Sequence, residues 1–256
     1  MAGFEAYLFD VDGTLADTER DGHRLAFNKA FAEAGLEWEW SVPVYGELLA
    51  VTGGKERMRH YLEHYDPPFA GVTSDLGDYF ATLHAAKTRH YAELVSAGAV
   101  ALRPGIERLL NEARANKIRL AIATTTTLEN VTALLASTLG EVAIDWFELI
   151  AAGDIVPRKK PAPDIYQYAL DRMRLAAEEC LAFEDSANGI AAAKGAGLTT
   201  VITINDYTHD HDFSDAELVV SDLGETGQPM RVIGGSKAAS FAADRWLDVA
   251  ALNKLR

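Results

Sequence analysis

The 256-residue sequence contains a single cysteine, Cys180. An internal disulfide and a cysteine-built zinc cage are thereby excluded, and the usage fits a reducing compartment, with Cys180 itself reading as a small buried hydrophobe. Positive charge is also scarce: 24 Lys and Arg stand against 38 Asp and Glu, a formal net charge of −14 without a basic stripe. A surface of that sign repels phosphate backbones, so no nucleic-acid partner is expected, and any phosphate-bearing ligand must be met by local cations. Long apolar runs are missing too. The opening residues Met1-Ala2-Gly3-Phe4-Glu5 have no basic stretch of the kind that starts a signal peptide, so neither a signal peptide nor a membrane partner is read. A cytoplasmic location is expected, although an excised organelle transit peptide would leave no trace in such a sequence.

What is present begins with a short apolar run, Ala6-Tyr7-Leu8-Phe9, leading into Asp10-Val11-Asp12-Gly13-Thr14-Leu15. The run predicts a strand; two carboxylates at i, i+2 leave its end on the same side, and Gly13 and Thr14 bend the backbone away. In open α/β sheets ligands bind in the crevice beyond the carboxyl ends of the strands, which places the pair for chemistry. Asp10 can attack an electrophile such as phosphorus, and Asp12 can give a proton to the leaving oxygen and later take one from water. Both are hard oxygen ligands, and two like charges this close call for a cation, most simply magnesium. A plain surface turn built on Asp-Gly is the competing reading, and this stretch alone does not decide between them. An EF-hand loop does not fit, because Gly13 follows directly on Asp12 instead of standing sixth after three alternating ligands.

The length and the 48% hydrophobic content allow one large domain or two modest ones. After Leu15, apolar residues at three- and four-residue spacing predict helices over 24–34, 44–50, 55–64 and 75–97, with no strand between them. Pro67-Pro68 and Gly71 mark a loop there, and Gly98 closes the last helix. Residues 18–97 therefore read as a helical cap joined by two linkers to a core made of 1–17 and 98–256. From Leu102 onward strands and helices alternate, the pattern of a parallel sheet covered on both faces. Strands are expected at 119–123, 147–152, 180–183 and 200–204, with 218–220 as an edge strand; helices are expected at 105–115, 128–139, 164–174 and 187–195. The expected fold class is α/β, a doubly wound, Rossmann-like parallel sheet with an all-helical insert. The tail from Gly224, with a helical pattern through Phe241, Trp246, Val249 and Leu252, is expected to pack on the core.

Polar residues recur where these strands end: Thr124, then Lys160-Pro161 beyond a loop, then Glu184-Asp185. A hydroxyl for phosphoryl oxygen, a lysine to offset charge and a carboxylate pair to complete a magnesium shell are what phosphoryl transfer through Asp10 needs. The ordered set Asp10-Val11-Asp12-Gly13-Thr14, Thr124, Lys160-Pro161 and Glu184-Asp185-Ser186 with Gly189 resembles the haloacid-dehalogenase superfamily of aspartate-nucleophile phosphotransferases, over nearly the whole chain. The helical insert after the first motif is similar to the subfamily that includes β-phosphoglucomutase and small sugar-phosphate phosphatases. Asp17-Thr18-Glu19-Arg20-Asp21-Gly22-His23, Tyr45-Gly46-Glu47-Leu48-Leu49, Gly53-Gly54-Lys55-Glu56-Arg57 and Ala123-Thr124-Thr125-Thr126 look like the CbbY-type phosphatases that act on xylulose 1,5-bisphosphate.

The resemblance implies a magnesium-dependent phosphoric monoester hydrolase of carbohydrate metabolism and the Calvin cycle, converting xylulose 1,5-bisphosphate to xylulose 5-phosphate through an aspartyl phosphate. It makes Asp10 the nucleophile and Asp12 the general acid/base, with magnesium held by Asp10, the Asp12 backbone carbonyl and Asp185, and Glu184 as a neighbouring or indirect ligand. Thr124, Thr125, Thr126 and Asn130 would line the phosphate and sugar from the core, and Lys160 would neutralise charge. From the cap, Glu19, Tyr45, Gly53, Gly54, Lys55, Glu56, Arg57, His84 and Lys87 would close over the substrate. The partner implied is a small sugar phosphate, and the chain is expected as a monomer. A β-phosphoglucomutase-like mutase shares all the core residues and is the alternative; a phospho-aspartate signalling receiver needs neither a cap nor the acid/base Asp12.

Other signals weigh less. Gly53-Gly54-Lys55 is not a nucleotide phosphate loop, since Leu49 stands where its first glycine belongs and Glu56 replaces the Ser or Thr. As a glycine turn opening a helix it can still offer backbone N–H groups and Lys55 to an anion. His209-Asp210-His211-Asp212 reads as a solvated loop in preference to a metal site. Trp38 and Trp40 cannot share one face of a helix; cap packing is the favoured reading, with one of them free to cover the cleft.

Overall fold

The computed structural model describes residues 3–69 and 75–256; Gly71, expected in a loop, lies outside them. Seven strands form one sheet: β1 (Ala6–Phe9), β2 (Arg119–Ala123), β3 (Leu149–Ala151), β4 (Cys180–Glu184), β5 (Thr199–Thr203), β6 (Leu218–Val220) and β7 (Val232–Gly234). Their order is β3-β2-β1-β4-β5-β6-β7, all parallel except the β6–β7 pair. Strand order runs outward in both directions from β1, so the crevice of a doubly wound sheet opens at the carboxyl end of that strand. Register completes the placement: Phe9 pairs with Ile122 on one side and Phe183 on the other. Asp10 therefore stands level with Ala123 and Glu184, and Thr124 and Asp185 lie one residue beyond.

The central strands β1, β2, β4 and β5 are buried on both faces, and the period-two alternation sorts side chains by size. Tyr7, Phe9, Leu120, Ile122, Leu181 and Phe183 point to one face, where the helices α5 (Ile106–Ala115), α6 (Leu128–Leu139) and the tail supply Leu109, Leu134 and Leu252. Ala6, Leu8, Ala121, Ala123, Cys180 and Ala182 point to the other, under α7 (Asp164–Met173) and α8 (Ala187–Gly195). Small residues on that second face let α7 and α8 lie close, and α7 carries Tyr166 toward the site. Cys180 is buried and free, as a small hydrophobe should be.

Between β1 and β2 there is no strand among the described residues: α1 (Arg24–Glu33), α2 (Val42–Leu48), α3 (Gly54–Tyr65) and α4 (Leu76–Ser96) follow a π-helical turn at Glu19–His23. Local signals set their ends. Ser41 Oγ accepts from Val44 N at 3.4 Å and Pro43 sits in the first turn, so α2 begins at Val42, two residues earlier than its apolar spacing suggests. Asp75 caps α4 through Gly77 N and Asp78 N. The outgoing and returning linkers run together, with Ala16 bridged to Leu102 and Arg103 N donating to Leu15 O at 2.9 Å. The buried Arg103 guanidinium then ties Gly13 O, Asp17, Ile204 O and Ser221 O.

Two expectations change. The strand at 218–220 is not the edge, because β7 pairs with it antiparallel; three residues beside a Gly-Gly pair give too little periodicity to register. The tail packs on the core through Phe241, Leu247, Val249 and Leu252, as expected, but its helix is only Val249–Leu252 and Trp246 is 39% exposed. Trp38 and Trp40 both pack: they lie outside any helix, and both rings meet Phe31. Asn28 clamps the Trp40 peptide from both sides, at 2.8 and 3.0 Å. Trp40 is fully buried against Phe27, Phe31, Tyr45 and Tyr61, so it is the centre of the apolar cluster between the four helices. Trp40→Ala is expected to lower stability by about 3–5 kcal/mol, as large core truncations do, and Trp40→Phe by much less. Urea unfolding measures both; a loss below about 1 kcal/mol for the alanine variant would remove this ring as the keystone.

Candidate active site

Asp10 leaves β1 with its N–H on Phe183 O at 3.0 Å, and the chain then turns through Gly13 N to Ala16 O at 2.8 Å and Leu15 N to Val11 O at 2.9 Å. Gly13 has φ +83°, and a Cβ there would stand 2.1 Å from Asp185 Oδ2. Glycine is thus required twice over, by backbone sign and by the approach of a carboxylate. Gly189, which has an ordinary helical backbone, is required only for close approach: Glu184 Oε2 lies 1.8 Å from where a Cβ would be.

Lys160 is the hub. Its Nζ lies 2.7 Å from Asp10 Oδ1 and 2.5 Å from Glu184 Oε1, all three side chains being buried, and Tyr166 OH donates to the same Glu184 oxygen at 2.5 Å. Asp10, Glu184 and Asp185 each offer an oxygen within 4.8 Å of the others, the one grouping of three or more potential metal ligands among the described residues. Burial pushes the Asp10 carboxyl up to about 7 against the pull of Lys160, and pushes Asp185 well above the carboxylate range, helped by Asp10 and Glu184. Burial acts to lower the Lys160 ammonium, but the charges of Asp10 and Glu184 outweigh it and hold the proton on. Negative charge is therefore in surplus, and oxygen-only donors of this kind suit a hard divalent cation. The Asp185 carboxylate is oriented by Asn205, whose Nδ2 donates to Oδ2 at 2.7 Å.

Asp12 points its side chain elsewhere. Its Oδ1 accepts from Thr18 Oγ1 at 2.5 Å and meets His23 Nε2 at 2.8 Å, and His23 Nδ1 in turn lies 2.8 Å from Lys87 Nζ. Burial raises the Asp12 carboxyl, but His23 and the Thr18 bond overcome it and bring it down to about 2. Lys87 is buried over the rings of Phe27 and Tyr91, and desolvation lowers its ammonium to about 8. Hydrogen bonding assigns the tautomer: Lys87 donates to Nδ1, leaving the imidazole proton on Nε2 facing Asp12.

Two connected cavities lie beside these groups. The larger, about 420 Å³, is walled by Asp10, Asp12, Thr124, Lys160 and Asp185 on one side and by Glu19, Gly53 and Arg57 on the other. The smaller, about 160 Å³, shares Asp12, Glu19, Gly53, Arg57 and Thr125 and adds Gly54, Lys55, His84, Lys87, Thr126 and Asn130. Asn130 Nδ2 donates to Thr126 Oγ1 at 3.0 Å, while its Oδ1 is buried without a partner. Burial, reinforced by Lys87 and Lys55, lowers His84 to about 4, so its ring is neutral near pH 7. Arg57 spends Nε on Leu48 O and Nη1 on Tyr45 OH. Two of the residues expected to bind substrate are not on either wall: Tyr45 stands behind, donating its hydroxyl to Glu19, and Glu56 is exposed and turned back toward Gly53.

Other residues enter that sequence reasoning assigned no role. Lys159 lines the smaller cavity and sits 3.0 Å from Asp154, which also faces Lys55 at 3.9 Å. Its only trace in the sequence is that it precedes Lys160. Thr18 and His23 were legible only as part of a motif, and Tyr166 only as an apolar position of α7. In the solvated loop at 209–212, His211 accepts from Ala187 N at 3.2 Å and lines the larger cavity; His209, Asp210 and Asp212 are exposed.

The family model for haloacid dehalogenase-like hydrolases matches residues 4–197. The plasmid protein CbbY of Cupriavidus necator is 48% identical over 251 residues, covering 97% of this chain and 95% of its own. The crystal structure of CbbY from Rhodobacter sphaeroides in complex with phosphate is 46% identical and superposes with a TM-score of 0.80, covering 86% of this chain and 94% of that one. A mutant of that protein, equally similar, was solved in complex with xylulose-(1,5)-bisphosphate. With a family match across most of its length and relatives near half identity over almost all of it, the chain belongs to the haloacid dehalogenase-like hydrolases, as a phosphatase of that family.

Proposed function

We propose that the protein is a magnesium-dependent phosphatase that moves a phosphoryl group from a small sugar phosphate, xylulose 1,5-bisphosphate, onto Asp10 and then to water. The observation that carries this reading is the buried Asp10–Lys160–Glu184–Asp185 cluster facing a cavity whose far end is lined by Lys55, Arg57, Lys87 and Lys159. Similarity to a protein solved with xylulose-(1,5)-bisphosphate supports this choice of sugar. Residues 18–97 act as a cap closing on a core of 1–17 and 98–256.

Asp10 and Asp185, with the Asp12 backbone carbonyl, would hold the magnesium; Glu184, engaged by Lys160 and Tyr166, supports them from behind. When bound, the ion supplies charge neutralisation on the phosphoryl oxygens. Asp10 attacks phosphorus in line with the leaving sugar oxygen, and Lys160 steadies the charge that the reacting groups share. A proton passing from the Lys87 ammonium to His23 Nδ1, as the Nε2 proton passes to Asp12 Oδ1, leaves the imidazole neutral and lets Asp12 protonate that leaving oxygen. Asp12 then takes a proton from water as the water attacks the phosphorus on Asp10. Thr124 through Thr126 and Asn130 hold the phosphate side of the substrate.

A phosphate-release screen across pentose and hexose mono- and bisphosphates, with and without magnesium, tests the assignment and separates hydrolysis from positional isomerisation. Release from no sugar phosphate would overturn it. Asp10→Asn should abolish turnover while leaving ligand binding intact, because an amide keeps the shape but cannot attack phosphorus. Wild-type rates in that variant, with deamidation excluded by mass spectrometry, would contradict the covalent route.

The raised carboxyls set a pH dependence. A proton on Asp10, held up to about 7 by burial, must leave before the carboxylate can ligate, so magnesium affinity falls as pH drops below about 7. Calorimetric titration between pH 8 and 6 should show up to about tenfold weakening per unit and proton release to buffer; a flat profile would place the ion elsewhere. At the far end of the cavity, Lys55→Ala and Lys159→Ala should each lower kcat/KM for the bisphosphate more than for a monophosphate, by on the order of 2 kcal/mol. Equal losses on both substrates would assign these lysines to cap seating or to the reacting phosphate.

A further inference from the structure

Three consecutive residues after β5 each grip a different part of the molecule. Asn205 donates through Nδ2 to Asp185 Oδ2 at 2.7 Å, and its own Oδ1 accepts from Tyr207 N at 2.9 Å, so the amide is pinned at both ends. The same Nδ2 would lie 2.6 Å from a Cβ on Gly13, so the bare glycine makes the room this amide occupies. Asp206 meets Arg20 of the π-helical turn at 2.9 Å, an exposed pair worth little by itself. Tyr207 reaches across to α2: its ring lies edge-on to Tyr45 at 6.1 Å and joins the apolar cluster of the cap.

The sequence of α2 carries the imprint of that contact. Gly46 stands inside a seven-residue helix with no positive φ, where glycine costs about 1 kcal/mol relative to alanine. A Cβ at that position would lie 3.2 Å from Cδ1 and 3.4 Å from Cε1 of Tyr207, so the ring would have to give by a few tenths of an ångström to admit any side chain there. The glycine lets the ring sit this close to α2. On the cap side Tyr207 therefore bears on the turn holding Tyr45, whose hydroxyl supports Glu19 and Arg57 at the cavity wall. On the core side it bears, through Asn205, on Asp185.

We propose that residues 205–207 link the seated cap to the Asp185 carboxylate, with Tyr207 as a positioning residue, so that cap closure and divalent-cation binding strengthen each other. This rests on the reading that Asp185 ligates the ion. The physical content is a linkage: if the seated cap fixes the Asp185 orientation, disturbing the ring–glycine contact must weaken the ion, and removing the ion must loosen the cap by the same factor. The Tyr207 hydroxyl is buried without a hydrogen-bond partner, so the ring, and not the hydroxyl, carries the link.

The test uses Mn²⁺, which favours the same oxygen donors and is counted free or bound by electron paramagnetic resonance. Wild type should bind Mn²⁺ with an affinity that Asp185→Asn destroys. Tyr207→Ala and Gly46→Val should each weaken Mn²⁺ by about fivefold or more, Tyr207→Phe should match wild type, and Gly46→Val combined with Asn205→Ala should be no weaker than Asn205→Ala alone. Melting temperatures check that each variant is folded, and Gly46→Val perturbs the contact from the cap without altering the loop. Wild-type Mn²⁺ affinity in folded Gly46→Val and Tyr207→Ala, or additive losses in the double variant, would overturn the link. Failure of wild type to bind Mn²⁺, or indifference to Asp185→Asn, would instead overturn the metal reading and the link with it.

Discussion

Everything in the site depends on one buried ammonium facing more negative charge than it can balance. Lys160 is surrounded by Asp10 and Glu184, with Asp185 within reach of both, at the bottom of a cavity where desolvation of each charge is costly. One cation cannot neutralise three carboxylates, so the cluster either keeps protons, as burial first and the neighbouring carboxylates second push Asp10 and Asp185 up, or takes a divalent ion. That imbalance makes the site receptive both to a hard cation and to the phosphoryl group it helps to hold. The glycines at 13 and 189 exist because these carboxylates must come so near the backbone.

A second electrostatic unit, of opposite character, sits on the other wall. Asp12, Thr18, His23 and Lys87 form a hydrogen-bonded chain in which Asp12 is pulled down to about 2 while Lys87 is brought to about 8 by burial. Two aspartates two residues apart thus receive opposite shifts, Asp10 raised in a buried carboxylate cluster and Asp12 lowered within a hydrogen-bonded chain. Because His23 and Lys87 lie on helical segments between β1 and β2, Asp12 acquires these partners only when that segment is seated on the sheet.

Much of this was legible in the sequence, for identifiable reasons. The strands carrying Asp10, Thr124 and Glu184 are continuous apolar runs buried on both faces, and their carboxyl ends coincide with abrupt polar clusters, so both the sheet and the crevice follow from local pattern. The long helices of 24–97 follow from period and caps. What sequence could not give was the meeting of segments. Lys159 and Asp154 look like ordinary loop charges until the fold sets them against Lys55, and Asn205 and Tyr207 matter only because β5 lies beside β4 and the loop meets α2. Tyr45 and Glu56 were expected on the wall and stand off it, since motif resemblance marks a segment without saying which of its side chains turn inward. β7 was missed because its three residues run into Gly234-Gly235 and are only partly buried, unlike the apolar Leu218–Val220.

The central claim is that phosphorus passes through Asp10. A single turnover with xylulose 1,5-bisphosphate, quenched in acid within milliseconds and read by peptide mass spectrometry, addresses it directly. The account predicts one phosphoryl group on the peptide bearing Asp10, rising and decaying at rates that match phosphate release, and absent from Asp10→Asn. Full phosphate release with no phosphoryl adduct at any quench time, or an adduct on another residue, would contradict it.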